Sequence, residues 1–127
     1  MTAVRLGPAR ADLTLYRGDS PRLSIVLPVD LSGYTVRMHI RNSGGSLLVA
    51  LNSANGDLIV LPNTGYINGV QSPVAGRSIV RLRALTGAEE AAIIAAGGAI
   101  YDLEVSQGST VKTFLRGQFR LEEDVTL

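Results

Sequence analysis

The sequence predicts a small all-β domain, a β-sandwich that carries one short helix. Seven or eight short segments alternate apolar with polar residues, or are rich in aliphatic side chains, and they recur at regular spacing. Turn residues separate these segments, since the chain contains 14 Gly and 5 Pro. Only one segment has both the composition and the end signals of a helix.

The length and composition narrow the class of protein. The 127 residues suit one domain, and we expect an irregular lead-in over residues 1–11 followed by a single sandwich domain over residues 12–127. The chain has no Cys, so it has no disulfide and no Cys-based zinc site. Its net charge of +1 and lack of a basic stripe are not typical of a nucleic-acid partner. No apolar run approaches the roughly 20 residues that span a membrane, and no signal peptide is visible.

The first half of the chain contains five predicted strands, over residues 12–16, 22–29, 34–41, 46–51 and 58–61. In the clearest of them Val36, Met38 and Ile40 share one face, which indicates an antiparallel sheet with one buried and one wet face. Asn55-Gly56 is the strongest turn signal and predicts a hairpin between the last two of these strands.

Residues 62–76 contain two prolines and three glycines, and we predict a long loop there. At most a short piece of strand is expected near Tyr66 and Ile67. Loops of this length are uncommon in compact domains and often functional. Tyr66, Ile67, Asn68 and Val70 are therefore candidate protein-contact residues.

The second half begins with an alternating strand over residues 78–84, and the helix follows it. Thr86 and Glu89 have the spacing of a capping box, which predicts a short helix over residues 87–96. Gly97-Gly98 provides its stop. A strand over residues 99–106, a turn at 107–109 and a final strand over residues 110–121 complete the domain, with Gly117 as a predicted β-bulge.

The residues that commonly carry catalysis are few and scattered. His39 is the only histidine, so no His-rich metal site is expected, and its position in a strand predicts a solvated side chain. Asp102 and Glu104 share a strand face, as paired carboxylates of a glycosidase would. We expect them instead to pair across strands with basic residues such as Lys112 or Arg116. The chain is therefore predicted not to be an enzyme, with no catalytic, cofactor-binding or metal-binding residue.

Four arginines point outward from the predicted strands: Arg37, Arg41, Arg81 and Arg83. A solvated basic sheet face is the default interpretation. A protein–protein contact is the alternative, because Arg is enriched in interfaces, and it makes Arg37, Arg81 and Arg83 further contact candidates. The tripeptide Arg17-Gly18-Asp19 matches the one that integrins recognise, but three residues recur by chance and a structural turn or bulge is the favoured interpretation.

Several short motifs occur in a particular order. They are Leu-Thr-Leu-Tyr-Arg-Gly-Asp at residues 13–19, Asp-Leu-Ser-Gly-Tyr-Thr-Val at 30–36, the short helix, Tyr-Asp-Leu-Glu-Val at 101–105 and Gly-Gln-Phe-Arg-Leu at 117–121. This order resembles the small β-sandwich domains of tailed-phage and prophage tail proteins. The nearest resemblance is to the N-terminal domain of baseplate upper proteins and related fibre-connector proteins, and it covers residues 13–126.

The resemblance implies an Ig-like antiparallel β-sandwich and a non-enzymatic virion protein, an adaptor that joins other components of a tail or baseplate. It implies other tail proteins as partners, a homo-oligomer within a symmetric assembly, synthesis in the host cytoplasm and a final place in the virion tail. The segment over residues 62–76 is longer than expected from the group. The alternative is an attachment module for a host surface or glycan, for which no Trp, two Phe and four Tyr offer few stacking residues.

Overall fold

A computed structural model describes residues 9–17 and 23–123 and confirms an all-β sandwich with one short helix. The described part has nine strands rather than seven or eight. In chain order the elements are β1 (Ala9–Arg10), β2 (Leu13–Arg17), β3 (Ser24–Leu27), β4 (Thr35–Asn42), β5 (Leu47–Asn52), β6 (Leu58–Ile67), β7 (Val70–Leu82), α1 (Gly87–Ala95), β8 (Ala99–Gln107) and β9 (Thr110–Glu123).

The strands form two sheets of unequal size. The larger sheet has the order β1-β9-β8-β4-β5, with β2 also paired to β9, and the smaller sheet has the order β3-β7-β6. Strands β1 and β2 pair with β9 in parallel, and every other described pairing is antiparallel. This is the strand order of an immunoglobulin-type sandwich: β3, β7 and β6 correspond to strands B, E and D, and β9, β8, β4 and β5 to G, F, C and C′.

Aliphatic side chains from both sheets fill the space between them. Val36, Met38 and Ile40 are fully buried, as their alternation predicts, and alternate residues of β8 from Ala99 to Val105 are buried with them. Such alternation arises because successive side chains of a strand point to opposite faces. Burial of these side chains is the main favourable contribution to folding of a domain without disulfides.

Helix α1 confirms the helix prediction and closes one end of the sandwich. The side chain of Thr86 accepts a hydrogen bond from the backbone N–H of Glu89, and the Glu89 carboxylate accepts one from the backbone N–H of Thr86. These reciprocal bonds satisfy N–H groups that have no partner within the helix. Ile93 packs into the core, and Gly97 ends the helix with a φ of +70°.

The predicted hairpin at Asn55-Gly56 is wrong. A turn does form there, since the backbone N–H of Asn55 bonds to the side chain of Asn52 at 2.9 Å. However, β5 belongs to the larger sheet and β6 to the smaller one. The turn signal is local, and it does not determine whether the chain returns along the same sheet or crosses to the other.

The predicted bulge at Gly117 is also wrong. The β8–β9 register shifts between Leu103 and Glu104, whose partners Leu115 and Thr113 leave Phe114 as the additional residue, while Gly117 pairs normally with Tyr101. Gly117 instead lies beneath the chain that joins β1 to β2. The irregular lead-in predicted over residues 1–11 extends too far, because Ala9 and Arg10 already form a strand that pairs with β9.

Candidate interaction surface

Residues 62–76, predicted as a loop, lie in a long hairpin built by β6 and β7. The two strands meet at Asn68-Gly69, whose φ angles are +50° and +78°. Two-residue hairpin turns with both central φ angles positive favour Asn-Gly. The turn signal was therefore present in the sequence, but the surrounding prolines and glycines masked it.

This hairpin has a pronounced bend. Regular pairing stops at Pro62–Ser78 and resumes at Thr64–Pro73, so that residue 63 alone faces residues 74–77. Asn63 has a φ of +51° and Gly76 a φ of +78°. The Asn63 side chain accepts a hydrogen bond from the Gly76 backbone N–H at 3.1 Å, which fixes the two sides of the bend together.

The outer half of the hairpin, residues 64–73, folds back over the outer face of the smaller sheet, and we call it the flap. Arg81 Nη2 donates to Gln71 Oε1 at 2.9 Å, although ten residues separate them in one strand. A straight strand would place them about 33 Å apart. The hydroxyl of Tyr66 also lies close to Arg81 and Ser24, and hydrogen bonding to both lowers its pKa.

Burial on the sheet beneath the flap agrees with this arrangement. Alternation along β7 directs Ser78 and Val80 into the sandwich core, so Ile79 between them faces outward. Ile79 is nevertheless 0% exposed, while its cross-strand partner Val26 is 38% exposed. The flap contacts Arg81 on this same face, and we infer that it covers Ile79.

The tip of the flap is apolar and exposed. Ile67 and Val70 are cross-strand partners on either side of the turn, and they are 52% and 64% exposed. Tyr66, beside them, is 43% exposed. Four of the sequence-predicted contact residues, Tyr66 to Asn68 and Val70, are thus brought together on a braced hairpin.

The predicted basic face does not exist, because the arginines lie in different places. Arg37 and Arg41 are on the outer face of the larger sheet, whereas Arg81 is beside the flap on the smaller sheet. Arg37 Nη2 is 2.8 Å from Glu104 Oε2. Asp102 lies opposite Arg116 in the β8–β9 register, as predicted, but the ion pairs of Asp102 and Glu104 are formed with Arg41 and Arg37 of β4.

Arg83, a predicted contact residue, forms its ion pairs within the chain and stabilises the fold. Its guanidinium donates to Asp57 at 2.8 Å and holds both oxygens of Glu89, at 2.7 and 2.8 Å. This connects the β5–β6 turn to the first turn of α1. The bond from Arg83 lowers the pKa of Glu89 to about 2, and it also lowers the pKa of Asp57.

Stability should therefore decrease in acid. The pKa of Glu89 is depressed from 4.5 to about 2, so its contribution is complete above pH 4.5 and is lost as the pH falls towards 2. The side chains of Arg83 and Glu89 are 29% and 20% exposed, and solvent screening reduces our expectation to about 1–2 kcal/mol. Urea denaturation at pH 5 and pH 2.5 measures the loss. It should be smaller in Glu89→Gln and unchanged in Glu90→Gln; equal losses in all three proteins would contradict the assignment.

Other sequence candidates give no site. His39 Nδ1 lies 3.2 Å from Arg41 Nη2 on the outer face of the larger sheet. Across residues 9–17 and 23–123, no group of three His, Asp or Glu side chains is arranged to hold a metal ion. No helix in this part of the chain is long and apolar enough to cross a membrane. Gly18 and Asp19 of the Arg-Gly-Asp tripeptide lie outside the described residues.

No model of a known protein family matches this chain, and no curated protein sequence matches it.

Proposed function

We propose that this protein is a non-enzymatic structural component of a phage or prophage tail, an adaptor that joins other tail or baseplate proteins. The observation that carries the proposal is the exposed apolar tip of the flap, Ile67 and Val70, on a hairpin that is braced against the sandwich through Arg81. Such a tip has the properties of a docking element, since apolar side chains at a rigid protrusion bury area at little conformational cost. The motif order described above supports a tail protein rather than another assembly.

Strand edges offer a second means of assembly. Strand β5 is an edge of the larger sheet, and Leu47 at its start is 53% exposed. An open edge accepts a strand from another chain. The adaptor function therefore has two contact types available, the flap tip and the sheet edge, and the homo-oligomer belongs to the same proposal.

The tip is tested by the double variant Ile67→Ser/Val70→Ser. We expect the wild-type chain to sediment as a defined oligomer and to co-purify with tail particles, and the tip variant to lose both properties while keeping its thermal midpoint. The reason is that these side chains contact solvent in the single chain, so their removal affects association and not the core. Analytical ultracentrifugation and mass spectrometry of purified particles provide the measurements.

A control variant removes the same amount of apolar surface elsewhere. Ile94→Ser/Val111→Ser changes side chains that are 46% and 54% exposed, on α1 and on β9, and it should assemble as the wild type does. A wild-type chain that is monomeric at every concentration and absent from purified particles would refute the adaptor function.

The attachment alternative has less support. Sugar rings stack on aromatic faces, and among the exposed large apolar side chains of the described residues only Tyr66 is aromatic. Its hydroxyl is already engaged with Arg81 and Ser24.

A further inference from the structure

The outer face of the larger sheet contains a shallow depression of about 340 Å³, on the opposite side of the sandwich from the flap. Its side chains come from four strands that lie next to one another, β1, β9, β8 and β4. They include Arg10, Arg116, Asp102, Ile100, His39 and Arg41.

The strand register sets four of these side chains in one row across the sheet. Arg10 pairs with Arg116, Arg116 with Asp102, and Asp102 with His39. Two arginines are therefore direct neighbours on adjacent strands. Like charges placed directly opposite each other destabilise a sheet, so this pair is a local conflict of the kind that proteins retain at functional sites.

The carboxylate of Asp102 does not resolve the conflict. Its Oδ2 is 3.6 Å from Arg41 Nη1, which is too far for a hydrogen bond, and its Oδ1 is enclosed without a hydrogen-bond partner among the described residues. By contrast, Arg37 and Glu104 on the same face form a close pair at 2.8 Å.

The resulting charge of the depression is positive. Three arginines and one aspartate line it, which leaves two positive charges uncompensated among the lining residues. The nearby carboxylate of Asp12, which accepts a hydrogen bond from the backbone N–H of Gln118 at 2.9 Å, offsets one of these charges and leaves the other uncompensated.

We propose that this depression binds an acidic peptide segment, whose carboxylate lies between the guanidinium groups of Arg10 and Arg116. The planar fork of a guanidinium matches a carboxylate with two parallel hydrogen bonds. Ile100, which is 44% exposed at the edge of the depression, provides an apolar contact for the peptide beside the carboxylate.

A peptide fits this surface better than an acidic sugar does. Among the lining residues Tyr101 is the only Tyr, Phe or Trp, and it is 3% exposed with its ring in the core, so the depression offers no large aromatic face for a sugar to stack on. Arginine is enriched in protein interfaces, and Ile100 beside the arginines adds exposed apolar area that a peptide can cover. The site lies on the face opposite to the flap and does not depend on the adaptor function.

The test uses the full ¹⁵N-labelled chain and a capped hexapeptide of alternating Glu and Gly. We expect saturable chemical-shift changes at the amides of Arg10, Ile100, Asp102 and Arg116, and none with the matching Gln-Gly peptide. An N-terminally acetylated peptide with uncharged side chains and a free C-terminal carboxylate, titrated separately, shows whether a chain terminus is also bound. Binding of the Gln-Gly peptide at the same amides with equal strength would overturn the proposal.

Variants separate the site from general charge attraction. Arg10→Gln/Arg116→Gln should weaken binding by at least about tenfold, whereas Arg77→Gln/Lys112→Gln removes the same charge elsewhere and should change binding less than about twofold. Asp102→Asn removes the one lining carboxylate and should tighten binding several-fold.

The thermal midpoint of each variant is measured first, to establish that it is folded. Equal weakening in both double variants would overturn the proposal. Binding of glucuronate at these amides in the absence of peptide binding would also overturn it and would assign the site to acidic sugars.

Discussion

Replacing Gly117 by Ala is expected to lower the free energy of unfolding by about 3 kcal/mol. A Cβ at this position would lie 2.7 Å from the carbonyl carbon of Ala11 and closer still to its oxygen. The obstacle is backbone and not the end of a flexible side chain. The strand pairing of Gly117 with Tyr101 on its other side prevents it from moving away.

The expected loss is large because the short connection between β1 and β2 is held in place by several hydrogen bonds. The backbone N–H of Ala11 donates to the backbone carbonyl oxygen of Arg116 at 2.9 Å, and the carbonyl oxygen of Ala11 accepts from the Tyr101 hydroxyl. Tyr101 is 3% exposed, and its burial raises its pKa to about 12. If this connection shifts, the Tyr101 hydroxyl loses its hydrogen-bond partner inside the core, which adds the cost of an unsatisfied buried group.

Urea denaturation followed by circular dichroism measures the change, and Gly98→Ala is its matched control. A Cβ on Gly98 meets no atom within 4 Å and needs no positive φ, so the control should differ from the wild type by less than about 0.5 kcal/mol. If Gly117→Ala costs no more than Gly98→Ala, the chain before β2 does not lie over Gly117.

Gly117 also shows what a local sequence pattern can and cannot predict. A glycine inside a strand indicates either a bulge or a close approach of another backbone, and the sequence supports both equally. Only the parallel pairing of β1 and β2 with β9 brings Ala11 above this position. Contacts between residues about a hundred positions apart leave no local signal that distinguishes the two explanations.

Local patterns succeeded where local physics determines the outcome. The alternation of Val36, Met38 and Ile40 predicted the core face of β4, because period two follows from strand geometry alone. The pair Thr86 and Glu89 predicted the start of α1, because a capping box acts within one turn.

Such local patterns could not predict the order of the strands in the sheets or the position of the flap. Which arginine pairs with Glu104 depends on the two strands that flank β8, and the sequence does not specify them. The bend of the β6–β7 hairpin needs Asn63 to bond across to Gly76, a contact between residues thirteen positions apart. Without that bend, Asn68-Gly69 still predicts a hairpin, but not one that covers its own sheet.

The flap leads to the second large expected effect, at Ile79. Ile79→Ala should lower the free energy of unfolding by about 3 kcal/mol, as for a core isoleucine, although the residue points away from the sandwich core. Its side chain is 0% exposed, and the cavity left by truncation would lie between the smaller sheet and the flap. The measurement is again urea denaturation.

Ile59→Ala is the matched control, since it makes the same change on the same face of the same sheet. Ile59 pairs with Arg81 two positions along β7 from Ile79, and it is 41% exposed. A side chain that remains in contact with water loses less on truncation, and about 1 kcal/mol or less is expected. Equal losses at the two positions would contradict a flap that lies over Ile79.

The same variant connects the flap to assembly. The packing of the flap on Ile79 helps to fix the direction in which Ile67 and Val70 point, so Ile79→Ala should also weaken association through the tip under conditions where the sandwich remains folded. Weakening a docking element by loosening its support is expected when binding depends on preorganisation. A variant that is destabilised by about 3 kcal/mol and yet assembles as tightly as the wild type would show that the tip docks independently of the flap's packing.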